Sequence, residues 1–457
     1  MTVRKIEHRA LFCRLILLAF IFGIVLFLVR YVRDSEKWYE QSYNKHLYSD
    51  NGELKTGTLT DRNGVILSSV KDGVRTYSPN FDIRVATLHT VGDSAGKIRT
   101  GALSNLREYL VAYKRSSGAN AISDEGNRVS LTIDAEACSA AYKAMNGLFG
   151  CACVYNYKTG EILCLVSSPS YDPNNIPEDI EWSDSYTGAY INRFFSSTFT
   201  PGSVFKTLTL QAALSELPDA SARLYECTGS VKIGDNYVSC PKAHGTQTLQ
   251  EAYANSCNCT FAALAAEIGG DKMASYVDKA GLSSSRRIFT FANAKGSFEL
   301  AAATKYQLGW AGVGLHHDLV NPCSLLMYIG AVANGGKSAV PTFLKNVTAS
   351  NGTNLKTPET EYTGTLIDAG TAAIMRSYME YNVSHVYGTY RFPNVRMGAK
   401  SGTVEQKAGK SNGWFAGYLN SEEHPYAFVV FLEHGGAGSG APADVAAAAL
   451  QALISVP

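Results

Sequence analysis

The sequence predicts an α+β protein in three parts: a cytoplasmic tail and single transmembrane helix within residues 1–33, a small α+β module over 34–127, and a larger domain over 128–457 built on an antiparallel sheet flanked by helices. Three observations carry this. An unbroken apolar run fills residues 15–29 behind a basic flank. A polar stretch follows, cut into short β-prone runs by turn signals. Beyond it, β-prone runs joined by hairpin-length loops stand on either side of a long helical middle, and strands so closely connected pair antiparallel. The 457 residues, 46% of them hydrophobic, suffice for a packed core.

With Leu11, Phe12 and Cys13 counted across Arg14, the apolar run approaches the ~20 residues of a spanning helix. Arg4, Lys5, Arg9 and Arg14 precede it, which favours a cytoplasmic N-terminus and an extracytoplasmic remainder; Arg30 and Arg33 weaken that bias without reversing it. No small-x-small pattern follows Val29, so the run reads as an uncleaved signal anchor, with the membrane as its partner. The net charge of +1, with no Lys/Arg block interleaved with aromatics, argues against nucleic acid. The ten cysteines fit neither a small disulfide scaffold nor a zinc site. Cys151/Cys153 and Cys257/Cys259 are C-x-C, no second pair stands at zinc spacing, and neither metal nor cofactor is expected. A disulfide between Cys227 and Cys240 is an open alternative in an oxidising compartment. His244, His316, His317 and His434 lack a carboxylate partner and read as structural or surface residues.

In the module, Asp50-Asn51-Gly52 and Asn63-Gly64 signal turns, and Asp61-Arg62-Asn63-Gly64-Val65-Ile66-Leu67 reads as a turn entering a strand. Residues 116–127 form a soft boundary. A strand over 129–133 and a helix over 135–145 capped by Asp134 follow. Runs 151–157 and 161–167 form a hairpin across Lys158-Thr159-Gly160. From Thr246 a helix with Thr248 and Glu251 at capping-box spacing ends near Ala254. Asn255-Ser256-Cys257-Asn258 then leads into a second helix, 261–267, closed by Gly269 and Gly270; taken alone, that polar linker is equally an interhelix turn capped by Asn258. Strand-like runs at 395–403, 414–419 and 426–432 precede a closing helix over 443–454.

Chemistry enters at Thr200-Pro201-Gly202-Ser203-Val204-Phe205-Lys206, where a Pro-Gly turn delivers a serine and then a lysine into an apolar helical run. A hydroxyl needs an adjacent base, and a lysine three positions along a helix lies on the same face. The spacing alone is weak, since it recurs at Ser42/Lys45, Ser68/Lys71 and Ser94/Lys97. Only Ser203 combines a Pro-Gly turn before it and an apolar helical run after it with Ser256-Cys257-Asn258 and then Lys400-Ser401-Gly402-Thr403 following in order.

In carrying S-x-x-K, S-x-N and K-[ST]-G in that order, the chain resembles the penicillin-binding proteins. Asp61-Arg62-Asn63-Gly64, Thr159-Gly160-Glu161-Ile162 and Ser168-Pro169-Ser170-Tyr171-Asp172 resemble flanking segments. The literal Lys158-Thr159-Gly160 is upstream of Ser203 and is not the third motif. Where the family usually has Arg-Gly, this chain has Thr56-Gly57-Thr58, and where relatives often show Gly-Gln-Gly it has Gly312-Val313-Gly314.

The resemblance implies a β-lactamase/transpeptidase-like domain and serine acyl transfer on D-alanyl-D-alanine stem peptides of peptidoglycan, with β-lactam antibiotics as trapping ligands. It assigns Ser203 as nucleophile, Lys206 as neutral base and Ser256 as proton relay. Asn258 orients Lys206 and substrate, and Lys400 supplies fixed positive charge for the substrate carboxylate. The hydroxyls of Ser401 and Thr403 would bind the same carboxylate, Gly402 would leave room for substrate backbone, and the N–H groups of Ser203 and Thr403 would form an oxyanion hole. An anchor, a non-catalytic pedestal over 34–127 and a domain over 128–457 resemble the monofunctional class B enzymes, which implies a polytopic membrane glycosyltransferase partner. A β-lactamase or β-lactam sensor of the same fold is the alternative enzyme; a catalytically silent membrane scaffold is the alternative of another class.

Overall fold

The chain is described by a computed structural model over residues 3–34, 48, 53–111, 126–406 and 409–454. The expected turn at Asp50-Asn51-Gly52 and most of the boundary at 116–127 lie outside the described residues. The first helix, Val3–Asp34, has no buried side chain and is long and apolar enough to cross a membrane.

Five strands form the central sheet, in the order Met397–Glu405, Ser411–Leu419, Tyr426–Leu432, Gly150–Asn156 and Ile162–Ser168, all antiparallel. The hairpin across 158–160 turns at Gly160, whose N–H donates to Asn156 O at 2.8 Å. Gly150–Asn156 and Ile162–Ser168 are buried almost throughout, which requires cover on both faces and explains their uninterrupted apolar sequence. Ala441–Ile454 and Ala135–Ala144 pack on each other and on this sheet, as do Pro322–Ala333 and Ala369–Asn382. Lys206–Glu216 is buried from Lys206 to Ala213. Its polar side chains are satisfied: Thr207 Oγ1 pairs with Tyr253 Oη, Thr209 Oγ1 donates to Gly312 O, and Gln211 Nε2 donates to Leu366 O.

A second, six-stranded sheet runs Asn354–Lys356, Leu344–Thr348, Arg128–Leu131, Thr58–Thr60, Ile66–Lys71, Val74–Tyr77. Thr58–Thr60 pairs in parallel with Arg128–Leu131, so the sheet crosses the expected boundary at 127/128 and recruits strands from beyond residue 340. The Asp61 turn is more than a hairpin. Buried Asp61 accepts from Asn63 N and Val65 N at 2.8 Å with one oxygen and from Ala135 N at 3.1 Å with the other. Asn63 Nδ2 donates to Asp134 Oδ2 at 2.8 Å. Asp61 therefore ties the second sheet to the N-terminus of Ala135–Ala144, where the helix dipole favours a carboxylate. Buried Arg75 holds the Thr56-Gly57 stretch, donating to Thr56 O at 2.6 Å.

The capping box at Thr248/Glu251 starts the helix Leu249–Ala254. Gly269 closes the helix Asn258–Ile268, as the glycine pair suggested, and Gly270 at once opens a further helix, Gly270–Lys279.

Candidate active site

Gly202–Phe205 is a turn of 3₁₀ helix that continues as Lys206–Glu216. In a 3₁₀ turn residues three apart eclipse, and Lys206 Nζ lies 3.0 Å from Ser203 Oγ. The spacing expected on an α-helical face is thus realised in a tighter turn. Gly202 has φ +55°, and a Cβ there would meet Val404 Cγ2 at 2.8 Å and Thr403 O at 3.0 Å. Glycine is needed because the strand Met397–Glu405 passes directly over the turn. Trp414 Nε1 donates to Thr200 O at 2.9 Å and fixes the approach to Ser203.

Ser256 follows the helix Leu249–Ala254 in a left-handed conformation, φ +53°. Ser256 N donates to Tyr253 O at 3.2 Å and Cys257 N to Ala252 O at 2.9 Å. These are the two bonds of a Schellman ending, with serine where glycine is favoured. The next helix begins with Cys257 as N-cap, without a side-chain capping bond; Asn258 does not cap it but turns its side chain to Lys206.

Four oxygens surround Lys206 Nζ: Ser203 Oγ at 3.0 Å, Ser256 O at 2.6 Å, Asn258 Oδ1 at 2.7 Å and Ser256 Oγ at 3.1 Å. Asn258 Nδ2 donates to Ser239 O at 3.1 Å, which sets the amide with its oxygen toward the lysine. Ser256 O and Asn258 Oδ1 only accept, so they take both N–H bonds of a neutral amine. The lone pair is left to the hydroxyls. Burial pushes Lys206 down to about 7, opposed by the nearby Cys240, Cys257 and Cys259.

Lys400, also fully buried, donates to Ser256 Oγ at 3.1 Å and Ser401 O at 3.0 Å, 5.6 Å from the centre of the Tyr253 ring. Burial, and then the charge of Lys206, hold it well below the ordinary lysine range. Burial thus works against the fixed positive charge expected of Lys400, and a neighbouring anion would work toward it.

Gly402 is also where the strand and the Ser203 turn approach each other closely. A Cβ there would lie 2.9 Å from Pro201 O and 3.1 Å from Val204 N, so it lets the strand meet the Ser203 turn. Thr403 Oγ1 accepts from Gly438 N at 3.3 Å, leaving its own proton to donate. Ser401 is held by a residue the sequence reading missed: Tyr387 Oη donates to Ser401 Oγ at 3.0 Å and accepts from Ser401 N at 2.8 Å. Tyr387 ends a π-helical turn, Val383–Tyr387, and had no motif to announce it. Ser203, Ser256, Asn258, Ser401 and Thr403 line one cleft of about 730 Å³, with Cys240 and His244 on its wall. Lys158 faces Glu422 in its hairpin turn and does not line this cleft.

The Cys227–Cys240 bridge that the sequence left open is not formed: both are free thiols, and His244 Nδ1 lies 3.5 Å from each sulfur. Cys257 joins them, and the four ligand atoms lie within 4.8 Å of one another. Sequence spacing gave no sign of this group, and His244 read as a structural or surface residue, because the four ligand atoms converge in space from positions too far apart to form a zinc spacing.

A family profile described as the penicillin binding protein transpeptidase domain matches residues 150–452. The chain is 25% identical to the peptidoglycan D,D-transpeptidase PbpA of Mycolicibacterium smegmatis over 439 residues, covering 86% of this chain and 87% of that protein. It is 28% identical to the stage V sporulation protein D of Bacillus subtilis over 290 residues, 61% of this chain and 42% of that one. In fold it is similar to the penicillin G acyl-enzyme complex of penicillin-binding protein A from M. tuberculosis, with a TM-score of 0.76 at 22% identity, covering 88% of this chain and 100% of that one.

Proposed function

The chain belongs to the penicillin-binding protein transpeptidase family, and from that premise we propose a role for each group of the site. It is a class B penicillin-binding protein, a serine-type peptidoglycan D,D-transpeptidase that is acylated by β-lactams. Ser203 Oγ attacks the carbonyl of the terminal D-alanyl-D-alanine bond as Lys206 Nζ takes its proton. The new C–O bond forms, the C–N bond breaks, and the proton passes through Ser256 Oγ to the departing D-alanine amine. A neighbouring stem peptide's amine then attacks the ester, returns Ser203 and completes the cross-link. The N–H groups of Ser203 and Thr403 stabilise the oxyanion, each worth roughly 3 kcal/mol. The substrate carboxylate brings the counter-charge that buried Lys400 lacks, and Ser401 and Thr403 donate to it.

The observation that carries these roles is the Lys206 amine, 3.0 Å from Ser203 Oγ with both its N–H bonds directed to obligate acceptors. The basic residues ahead of the apolar stretch support a cytoplasmic N-terminus, and the resemblance to class B enzymes supports a polytopic glycosyltransferase as partner. The test is incubation of the full chain with lipid-linked nascent peptidoglycan and a glycosyltransferase. Cross-linked muropeptides that vanish in Ser203→Ala are expected; free D-alanine without cross-links would reassign the enzyme as a carboxypeptidase.

A further inference from the structure

Beside the active-site cleft, four side chains from separate segments converge. Cys227 ends the strand Leu224–Cys227, Cys240 follows Asn236–Ser239, His244 precedes Gly245–Thr248, and Cys257 sits between Ser256 and Asn258. Their ligand atoms all lie within 4.8 Å of one another. We propose that Cys227, Cys240, His244 and Cys257 bind one Zn²⁺ tetrahedrally, and that this ion positions the Ser256–Asn258 loop.

The dimensions suit the ion. Bonds of about 2.3 Å to sulfur and about 2.0 Å to nitrogen, set at tetrahedral angles, place N and S roughly 3.5 Å apart. Both Nδ1–Sγ separations in this chain are 3.5 Å. Three soft sulfurs and one imidazole favour zinc over magnesium or calcium, which take oxygen ligands. His244 binds through Nδ1, so Nε2 keeps its proton. Two donors already point at the sulfurs as they do around metal-bound thiolates: Asn258 N to Cys240 Sγ at 3.3 Å and Thr260 Oγ1 to Cys257 Sγ at 3.4 Å. Loading converts three thiols to thiolates, releases three protons and leaves the centre with one net negative charge; nothing is oxidised or reduced.

The consequence is local to the site. Cys257 lies between the two residues that hold Lys206, and Asn258 Nδ2 donates to Ser239 O, the carbonyl just before Cys240. An ion spanning these segments fastens the small strand pairs at 224–248 to the loop that carries Ser256 and Asn258. This is a positioning role, and metal binding itself does not depend on the reaction assigned to Ser203.

The test begins with metal analysis of the full chain purified in detergent without added chelator, followed by chelation and loading with Co²⁺. About one zinc per chain is expected, together with the thiolate-to-cobalt charge-transfer bands of a tetrahedral site. His244→Ala should lose the metal while retaining the far-UV CD of the parent, and Cys257→Ser should behave alike; Cys259→Ser, a neighbouring thiol outside the four, should keep it. Chelation should slow penicillin acylation at least ~10-fold, with recovery on adding Zn²⁺. Absence of both bound zinc and cobalt uptake by the reduced protein would overturn the proposal. So would disulfides among these cysteines in non-reduced peptide maps of active protein. If zinc binds but its removal leaves acylation unchanged, the positioning role fails.

Discussion

At Lys206 the chemistry turns on one proton. The groups facing it are Lys400 across Ser256 and the thiols Cys240, Cys257 and Cys259; burial outweighs their influence and sets the amine at about 7. Below that pH the amine is protonated and has no lone pair for Ser203, so acylation by penicillin should fall as pH drops through about 7 and level off above it. Stopped-flow measurement of the acylation rate against pH checks this. Lys206→Ala should remove that limb and slow acylation roughly 10³-fold. Ser256 makes a separate test, because its left-handed backbone is strained by its own Cβ. Ser256→Gly should be more stable than Ser256→Ala by about 1 kcal/mol in urea unfolding, while both lose acylation activity. Equal stabilities would remove the strain from the explanation of why this loop holds its shape.

At the scale of elements, two contacts connect structure to site. The π-helical turn Val383–Tyr387 grips the strand Met397–Glu405 through Ser401. Tyr387→Phe should therefore weaken capture of the β-lactam carboxylate, raising the half-saturating concentration about 10-fold while the limiting acylation rate changes less. The Asp61 latch is structural: Asp61→Ala strands three backbone N–H groups and should lower unfolding free energy by about 3 kcal/mol, leaving the acylation rate of the folded fraction intact. Much of this was legible in the sequence and some was not, for physical reasons. Ser203 was singled out by its Pro-Gly turn, its apolar helical run and the order of three motifs; of the rival spacings, Ser42/Lys45 lies outside the described residues, and Ser68 and Lys71 sit on the strand Ile66–Lys71, where residues three apart face opposite ways. The capping box at Thr248 and the Asp134 cap were readable because their bonds are local. Tyr387 and the cysteine–histidine group were not, since each depends on approaches between distant segments. The same holds for the pairing of Arg128–Leu131 with Leu344–Thr348.

For the molecule as a whole, the arrangement separates attachment from chemistry. Val3–Asp34 contributes no buried side chain, so removing residues 1–34 should yield a chain that penicillin acylates within about twofold of the parent rate. Cross-linking of lipid-linked substrate, which depends on meeting it at the membrane, should fall further. The six-stranded sheet joins the module after the helix to a strand that precedes Ser203 and to two that lie between the Ser256 and Lys400 motifs. The claim on which all of this rests is that Ser203, activated by a neutral Lys206, is the acylated residue. Intact mass and peptide mapping after incubation with penicillin G test it most directly: one penicilloyl group on the peptide containing Ser203, absent in Ser203→Ala, is predicted. An adduct that survives Ser203→Ala, or that maps to another residue, would contradict it.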